Sequence, residues 1–165
     1  MPTPPLWKHL RDILIAPFTV TVVLPWFLYT GDAAQLVPEG FVFILLGNLF
    51  LLLGLGLFVY CIYLFRRLGE GTLAPWQPTQ QLIVRGPYRY CRNPMITGVL
   101  FILIAETLVL HSDILLLYTV AFFIINTLYF KLSEEPGLVR RFGETYKEYR
   151  RHVPMWLPRL TPYRG

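Results

Sequence analysis

Arginine and tyrosine residues crowd into one short segment of an otherwise apolar chain, residues 85–94, which reads Arg-Gly-Pro-Tyr-Arg-Tyr-Cys-Arg-Asn-Pro. Asn93 followed by Pro94 is typical of a helix start, because Asn caps free backbone N–H groups and Pro suits the first helical position. Such N–H groups beside Arg92 favour binding of a carboxylate or phosphate. Tyr88 adds an aromatic face for a flat ring or a cation. The alternative is a basic, aromatic anchor at a membrane boundary.

Two adjacent carboxylates, Glu134 and Glu135, follow an apolar segment and precede Pro136. Carboxylates at the C-terminal end of a helix oppose the helix dipole, so their presence calls for an explanation. Exposed to water they would cost little. Alternatively they face the arginine cluster or accept hydrogen bonds from the hydroxyls and ammonium of a polar ligand. Asn126, in the apolar segment before them, either lines a pocket or hydrogen-bonds a neighbouring helix.

The C-terminal tail carries apolar and aromatic residues at helical spacing, namely Leu138, Phe142, Tyr146, Tyr149 and Val153. Charged residues flank this stripe, which predicts an amphipathic helix. We expect the helix to lie at the membrane interface with its aromatic side toward lipid or toward the hairpin formed by the last two apolar segments. The alternative is a membrane-surface anchor with no further role.

The length and composition of the chain indicate which class of protein positions these residues. The chain has 165 residues, which suits a single domain over 1–165. Hydrophobic residues make up 55% and charged residues only 15%, against roughly 25% charged in soluble domains. This excludes a disordered chain and disfavours a soluble globule. Two cysteines exclude a disulfide scaffold, and no metal-ligand spacing is present. The sequence predicts an all-α integral membrane protein.

Four segments free of charge, or nearly so, predict four transmembrane helices, since a span needs about 20 apolar residues. Their approximate bounds are 13–30, 40–65, 94–111 and 113–131. The last two are joined so closely that they predict a tight antiparallel hairpin, which returns residues 93 and 135 to the same membrane face. The segments 71–93 and 132–158 would lie on that face, the second including an interfacial C-terminal helix.

The basic residues set the orientation. All 15 Lys and Arg residues fall before the first predicted helix, between the second and third, or after the fourth. By the positive-inside rule, both termini and both polar segments are predicted to be cytoplasmic. The net charge of +5 is therefore interpreted as a membrane feature, and we expect membrane lipids rather than nucleic acid as partners.

Together these segments resemble the isoprenylcysteine carboxyl methyltransferase family and its shorter prokaryotic relatives. The similarity covers roughly Gly71 to Pro158, and the order and spacing of its pieces carry it. Asn93 replaces the histidine of the name-giving enzymes. The pieces are Gly71-Thr72-Leu73-Ala74-Pro75-Trp76, the run from Leu82 to Tyr90, Arg92-Asn93-Pro94-Met95 with Gly98, Glu134-Glu135-Pro136, Phe142-Gly143, Tyr146, Tyr149 and Val153-Pro154.

The resemblance implies an S-adenosylmethionine-dependent membrane methyltransferase acting on a lipophilic carboxylate, thiol or amine at the cytoplasmic face. It implies that Arg92 pairs the cofactor carboxylate and that Glu135 or Glu134 takes its amino or ribose donors, with Arg92 and Glu135 as the catalytic pair. The expected substrate-binding residues are Asn126, Tyr146 and Tyr149. The expected cofactor-binding residues are Gly86, Pro87, Tyr88, Arg89, Arg92, Asn93, Pro94, Gly98, Glu134 and Glu135.

Two other functions remain open from the sequence. A membrane reductase of the sterol-reductase type, using NADPH, has a comparable arginine–proline segment, but here Met95, Ile96 and Gly98-Val99 stand where Asn-Tyr and Gly-Glu are usual. A non-enzymatic four-helix scaffold would bind no cofactor. If the protein is a methyltransferase, the sequence does not identify a general base that would deprotonate the acceptor. An acceptor that is already a carboxylate or thiolate would need no such base.

Overall fold

The computed structural model describes residues 14–29, 36–68 and 82–164, and every regular element in these ranges is helical. The all-α prediction is thereby confirmed for the described part of the chain. The N-terminal residues, the Gly71–Trp76 motif and the first part of the predicted segment 71–93 lie outside the described residues. The elements are α1 (π-helical over Leu14–Val23, α-helical over Leu24–Leu28), α2 (Phe41–Leu68), a 3-10 turn (Gly86–Arg89), α3 (Pro94–Leu110), α4 (Asp113–Tyr129), a π-helical turn (Phe130–Glu134) and α5 (Glu135–His152).

Two of these helices are long and apolar enough to cross a membrane. One is α2, with a mean hydropathy of 2.6, and the other is the segment Asp113–His152, which is kinked at Gly143 and has a mean hydropathy of 1.8 over its most apolar part. Their large apolar side chains face outward, as at Leu52, which is 70% exposed. An apolar surface of this kind is stable in lipid and unfavourable in water. α1 and α3 are apolar but shorter.

The fourth predicted helix does not end before the tail helix, contrary to expectation. The π-helical turn joins α4 to the first part of α5 without a break, so the backbone stays helical from Asp113 until the kink at Gly143. Pro136 lies in the first turn of α5 and has no backbone N–H to donate. Just before it, the N–H of Glu135 donates to the carbonyl oxygen of Phe130, five residues earlier, which is the hydrogen bond of a π-helical turn. The 30 residues from Asp113 to Phe142 that precede the kink at Gly143 extend about 45 Å, which is longer than the roughly 30 Å hydrocarbon core of a bilayer. The charged part from Lys131 onward therefore lies beyond the apolar part.

α2 and α3 approach each other at glycines. A Cβ atom built on Gly54 would lie 2.7 Å from the carbonyl oxygen of Gly98, and one built on Gly98 would lie 2.9 Å from the oxygen of Gly54. The rings of Phe50 and Phe101 meet edge to face beside this contact, with centroids 5.2 Å apart. The glycines thus allow backbone contact between two helices, and α2 becomes the platform on which α3 is held.

α3 and α4 are joined by two residues, His111 and Ser112. His111 adopts the left-handed conformation with φ 46°. The Ser112 hydroxyl accepts from the N–H of Leu115 and caps α4. Farther along, the buried hydroxyls of Thr107 and Thr119 lie 3.2 Å apart and link the two helices. This geometry places the start of α3 and the end of α4 near each other.

Candidate active site

The residues before α3, 82–93, are called the polar segment, and the buried ring of Tyr88 holds this segment against α2. Tyr88 packs against Leu64 and Phe65, with the ring of Phe65 meeting it edge to face at 5.6 Å. Burial raises the pKa of Tyr88 well above its ordinary value. Gly86 has φ +55°, and a Cβ there would lie 2.9 Å from Leu64. Tyr88 therefore anchors the segment rather than offering the open aromatic face that was predicted.

Helix α5 holds the same segment from the other side. The Tyr149 hydroxyl donates to the carbonyl oxygen of Tyr88 at 2.6 Å. Tyr146, Tyr149 and Val153 are buried together, and the residues packed on them include Leu82, Val84 and Tyr163. The aromatic stripe predicted to face lipid or the hairpin thus packs on the polar segment and the C-terminal tail. The reason is that the tail folds back and covers that side of α5.

The two polar motifs meet in an ion pair. A terminal nitrogen of Arg92 lies 2.5 Å from Oε1 of Glu135, and both side chains are close to nine-tenths buried. Arg150 lies 3.5 Å from the other oxygen of Glu135. The backbone N–H of Arg92 donates to Pro154 O at 2.9 Å. Residues 43 positions apart in the sequence are therefore in direct contact.

Arg92 keeps one donor unused. Its Nε is buried and has no hydrogen-bond partner in the described part of the chain. A buried N–H without a partner is costly, which makes it a natural donor to a bound ligand. Tyr146 lies near enough to interact electrostatically with Arg92, Glu135 and Glu134. Four of the predicted site residues, Arg92, Glu134, Glu135 and Tyr146, therefore lie close enough to interact, and the Nε of Arg92 has no partner among the described residues.

Glu134 differs from its neighbour. It is half-buried and lies beyond the apolar part of its helix. Burial, with a contribution from the charge of Glu135, raises its pKa from 4.5 to about 7, although Arg141 acts in the opposite direction. A carboxyl group with such a pKa can accept or release a proton near neutral pH. Sequence reasoning missed this capacity, because it depends on burial that the adjacent pair of glutamates does not reveal.

Asn93 does not cap α3 as predicted. Its side chain makes no capping hydrogen bond, and its backbone has φ −122° and ψ 52°. Its carbonyl oxygen instead accepts from the N–H of Thr97 at 3.0 Å and from the Thr97 hydroxyl at 2.9 Å. Pro94 occupies the first turn of α3. Cys91, just before, has a pKa raised chiefly by burial, which suits a packing role rather than a nucleophile.

Four other predicted site residues make contacts within the fold and are not part of the ion pair. Gly98 lies in the α2–α3 contact, which accounts for a glycine there without a ligand. Asn126 donates to Phe122 O within its own helix at 2.8 Å. The Pro87 carbonyl accepts from the N–H groups of Tyr90 and Cys91. The Arg89 Nε donates to Tyr163 O at 2.6 Å.

Arg150 is a site residue that the sequence did not single out. It is 15 positions after Glu135, which on a straight helix corresponds to about 22 Å. The contact forms because α5 bends at Gly143, whose φ of 55° and ψ of −130° are not helical. A glycine within a helical stripe was the available signal for this bend.

Comparison with known proteins identifies the family of this chain. The family model described as phospholipid methyltransferase matches residues 42–145, a range that includes α2 except Phe41, all of α3 and α4, and both residues of the ion pair. "Methanethiol S-methyltransferase 2" of Bradyrhizobium diazoefficiens is 36% identical over 76 residues. That alignment covers 44% of this chain and 27% of the relative, so the chain spans about a quarter of the relative's length. Since the family match covers well over half of the sequence and confirms the resemblance carried by its motifs, the chain belongs to the phospholipid methyltransferase family of isoprenylcysteine methyltransferase-like enzymes.

Proposed function

We propose that the protein transfers a methyl group from S-adenosylmethionine to a lipophilic acceptor at the membrane surface. The observation that carries this proposal is the buried pair of Arg92 and Glu135, which joins the two motifs and leaves the Arg92 Nε without a partner among the described residues. The family supports methyl transfer as the reaction class. The exposed apolar surface of the helices supports a lipophilic acceptor.

The residues present fit the polar groups of this donor. The Arg92 Nε would donate to its carboxylate, while Arg92 stays paired with Glu135 through its terminal nitrogen. Glu134 would accept from the ammonium group or a ribose hydroxyl, and the free lone pairs of Glu135 could do the same. Asn93 and Pro94, at the start of α3, would line the same site. When bound, the donor supplies an electrophilic methyl group on a sulfonium.

Direct displacement at a sulfonium asks the protein mainly to position two reactants and exclude water. A carboxylate or thiolate acceptor needs no base. A thiol or amine must lose a proton, and Glu134, with a pKa of about 7, is the residue suited to take it. The name of the partly similar bacterial relative gives reason to include thiols among the acceptors tested.

We further propose a four-span arrangement with this site on the cytoplasmic side. α1 to α4 would cross the membrane, α3 and α4 would form a hairpin, and both termini would be cytoplasmic. The placement of the basic residues outside the apolar segments supports this orientation. An acceptor dissolved in the bilayer could then enter sideways between helices.

Calorimetry on the purified full-length protein tests the cofactor. We expect S-adenosylhomocysteine, the product form of the donor, to bind and NADPH not to bind. Binding of NADPH alone would replace the proposal with a reductase, and binding of neither would indicate a scaffold. Incubation with a lipid extract and a methyl-labelled donor would then identify the acceptor class from the labelled product.

A further inference from the structure

A cavity of about 510 Å³ lies away from the ion pair, where the end of α2, the turn Gly86–Arg89 and the C-terminal tail come together. Neither Arg92 nor Glu135 lines it. Its walls are basic and aromatic. The lining residues that bear on the argument are Tyr60, Tyr63, Arg67, Arg85, Arg89 and Arg164.

The described lining residues of the cavity carry positive charge and no negative charge. Four of its lining residues are arginines, and among the described lining residues there is no carboxylate. In the ranges that the structure describes, none of these four arginines is in an ion pair. Guanidinium groups that converge without a counter-charge favour a multivalent anion with several oxygen atoms, above all a phosphate group.

Part of the cavity wall is already held in place. The Arg67 guanidinium lies over the Tyr63 ring, 5.2 Å from its centroid. The rings of Tyr60 and Tyr63 are stacked at 6.2 Å. Arg89 uses its Nε to bond Tyr163 O, so its terminal nitrogens remain for a ligand. Pre-ordered side chains lower the entropy cost of binding.

The position of the cavity indicates a lipid as the source of the phosphate. The outward apolar face of α2 leads to it through Val59 and Tyr63, which are 60% and 46% exposed, and ends at Arg66 and Arg67. Acyl chains lying along that face would place a headgroup at the cavity. An ammonium group would find no carboxylate there among the described lining residues, so a net anion fits better than an amine-bearing headgroup.

We propose that this cavity binds the phosphate group of an anionic lipid, at a site separate from methyl transfer. Phosphatidic acid and phosphatidylglycerol would bind, and zwitterionic phosphatidylcholine would bind weakly. The lipid is a bound partner at the membrane surface and not the methyl acceptor. The proposal does not depend on the cofactor assigned above.

The test measures binding of fluorescently labelled phosphatidic acid to the purified full-length protein in uncharged detergent micelles. Competitors are unlabelled phosphatidic acid, phosphatidylglycerol, phosphatidylcholine and inorganic phosphate. The variant R67Q/R85Q removes two exposed charges of the cavity. The matched control R140Q/R151Q removes two exposed arginines of α5 that do not line it.

We expect the two anionic lipids to compete and R67Q/R85Q to bind labelled lipid at least about tenfold more weakly, while the control variant keeps wild-type affinity. Equal competition by inorganic phosphate would overturn the lipid part and leave a free phosphate ligand. Equal losses in both variants, or no binding at all, would overturn the site.

Calorimetry with S-adenosylhomocysteine on the same variants separates this proposal from the previous one. We expect R67Q/R85Q to keep wild-type affinity for S-adenosylhomocysteine, which also shows that it is folded. If that affinity is lost together with lipid binding, the cavity is part of the cofactor site and the inference is wrong. If the wild-type protein binds lipid but no cofactor, only the proposed function fails.

Discussion

Arg92 and Glu135 act as one unit, because both are almost buried and each is the nearest counter-charge of the other, Arg150 lying farther from Glu135. Removing one partner leaves an uncompensated charge in a region of low polarity, whereas removing both does not. We therefore expect R92A and E135A each to weaken S-adenosylhomocysteine binding by at least about 1.5 kcal/mol. The double variant should lose less than the sum of the two.

Calorimetry of the four proteins measures this coupling. E148A is the control, since Glu148 is half-exposed and pairs with Arg151 on the surface of α5. Wild-type affinity in a folded double variant would remove both residues from the site. Losses that add without coupling would show that they contact the ligand independently.

Glu134 gives a second prediction, on the pH dependence of stability. Its pKa in the folded protein is about 7, above its ordinary value of 4.5. The folded state therefore holds this proton more tightly than the unfolded state does. The resulting stabilisation is complete below pH 4.5, is lost as the pH rises toward 7, and is absent above that.

We expect the wild-type protein to lose stability relative to E134Q between about pH 5 and pH 8, by on the order of 1–2 kcal/mol. The effect is smaller than the full pKa shift would give, because Glu134 is only half-buried. Thermal melting of both proteins in one detergent across this range is the measurement. Parallel curves for the two proteins would contradict a raised pKa.

At the scale of the helices, the contact between α2 and α3 depends on the absence of a side chain at Gly54. A Cβ there meets the Gly98 carbonyl at 2.7 Å and the Ile102 N–H nitrogen at 3.1 Å, and neither backbone atom can rotate away. We expect G54A to destabilise the protein by about 1–3 kcal/mol.

The matched control is G56A, two residues along the same helix. A Cβ on Gly56 meets no atom of the described residues within 4 Å, so alanine should be neutral or stabilise the helix by up to about 1 kcal/mol. Melting temperatures in detergent compare the two variants. Equal effects would show that helix propensity, and not the α2–α3 contact, decides the outcome.

The start of a helix could be predicted from the sequence where polar residues or proline are followed directly by an apolar segment. The predicted starts near residues 40, 94 and 113 lie within one residue of the observed starts of α2, α3 and α4, where polar residues or proline give way to apolar ones. The joining of α4 to α5 could not be predicted in this way. Glu134, Glu135 and Pro136 are a local signal for a helix end, and a π turn overrides it.

The two motifs of the candidate site could be predicted from the sequence, but the contacts that their residues make could not. Arg92 and Glu135 were both identified from residue type and order. Arg150 was not, because its approach to Glu135 depends on the bend at Gly143. The side-chain cap expected from Asn93 is also missing, since Thr97 takes the Asn93 carbonyl instead. Tertiary contacts decided each of these cases.

At the scale of the whole molecule, the C-terminal tail closes over the polar segment. The N–H of Arg159 donates to Tyr90 O at 3.0 Å, and the N–H of Tyr163 donates to Arg89 O at 2.9 Å. Together with the bond from Arg92 to Pro154, these contacts tie the end of the chain to the residues just before α3. The two polar segments that the sequence places far apart therefore form one layer at one end of the helices.

The opposite end of α3 and α4 is marked by Asp113, whose carboxylate accepts from the N–H groups of Leu36 and Val37 at 3.1 and 3.0 Å. If α3 and α4 both cross the bilayer, Leu36 and α5 must face opposite compartments. Because the basic residues lie at the α5 end, we expect Leu36 outside and Arg140 in the cytoplasm.

Cysteine labelling of L36C and R140C with a membrane-impermeant maleimide tests this arrangement. Both positions are exposed, whereas the natural residues Cys61 and Cys91 are buried and provide an unreactive background. L36C should react in intact spheroplasts, and R140C only after the membrane is permeabilised. Reaction of both in intact spheroplasts would mean that the helices do not separate these two ends across a bilayer. The reverse pattern would place the ion pair and the basic cavity outside the cell, where neither a cytoplasmic methyl donor nor the lipids of the inner leaflet could reach them.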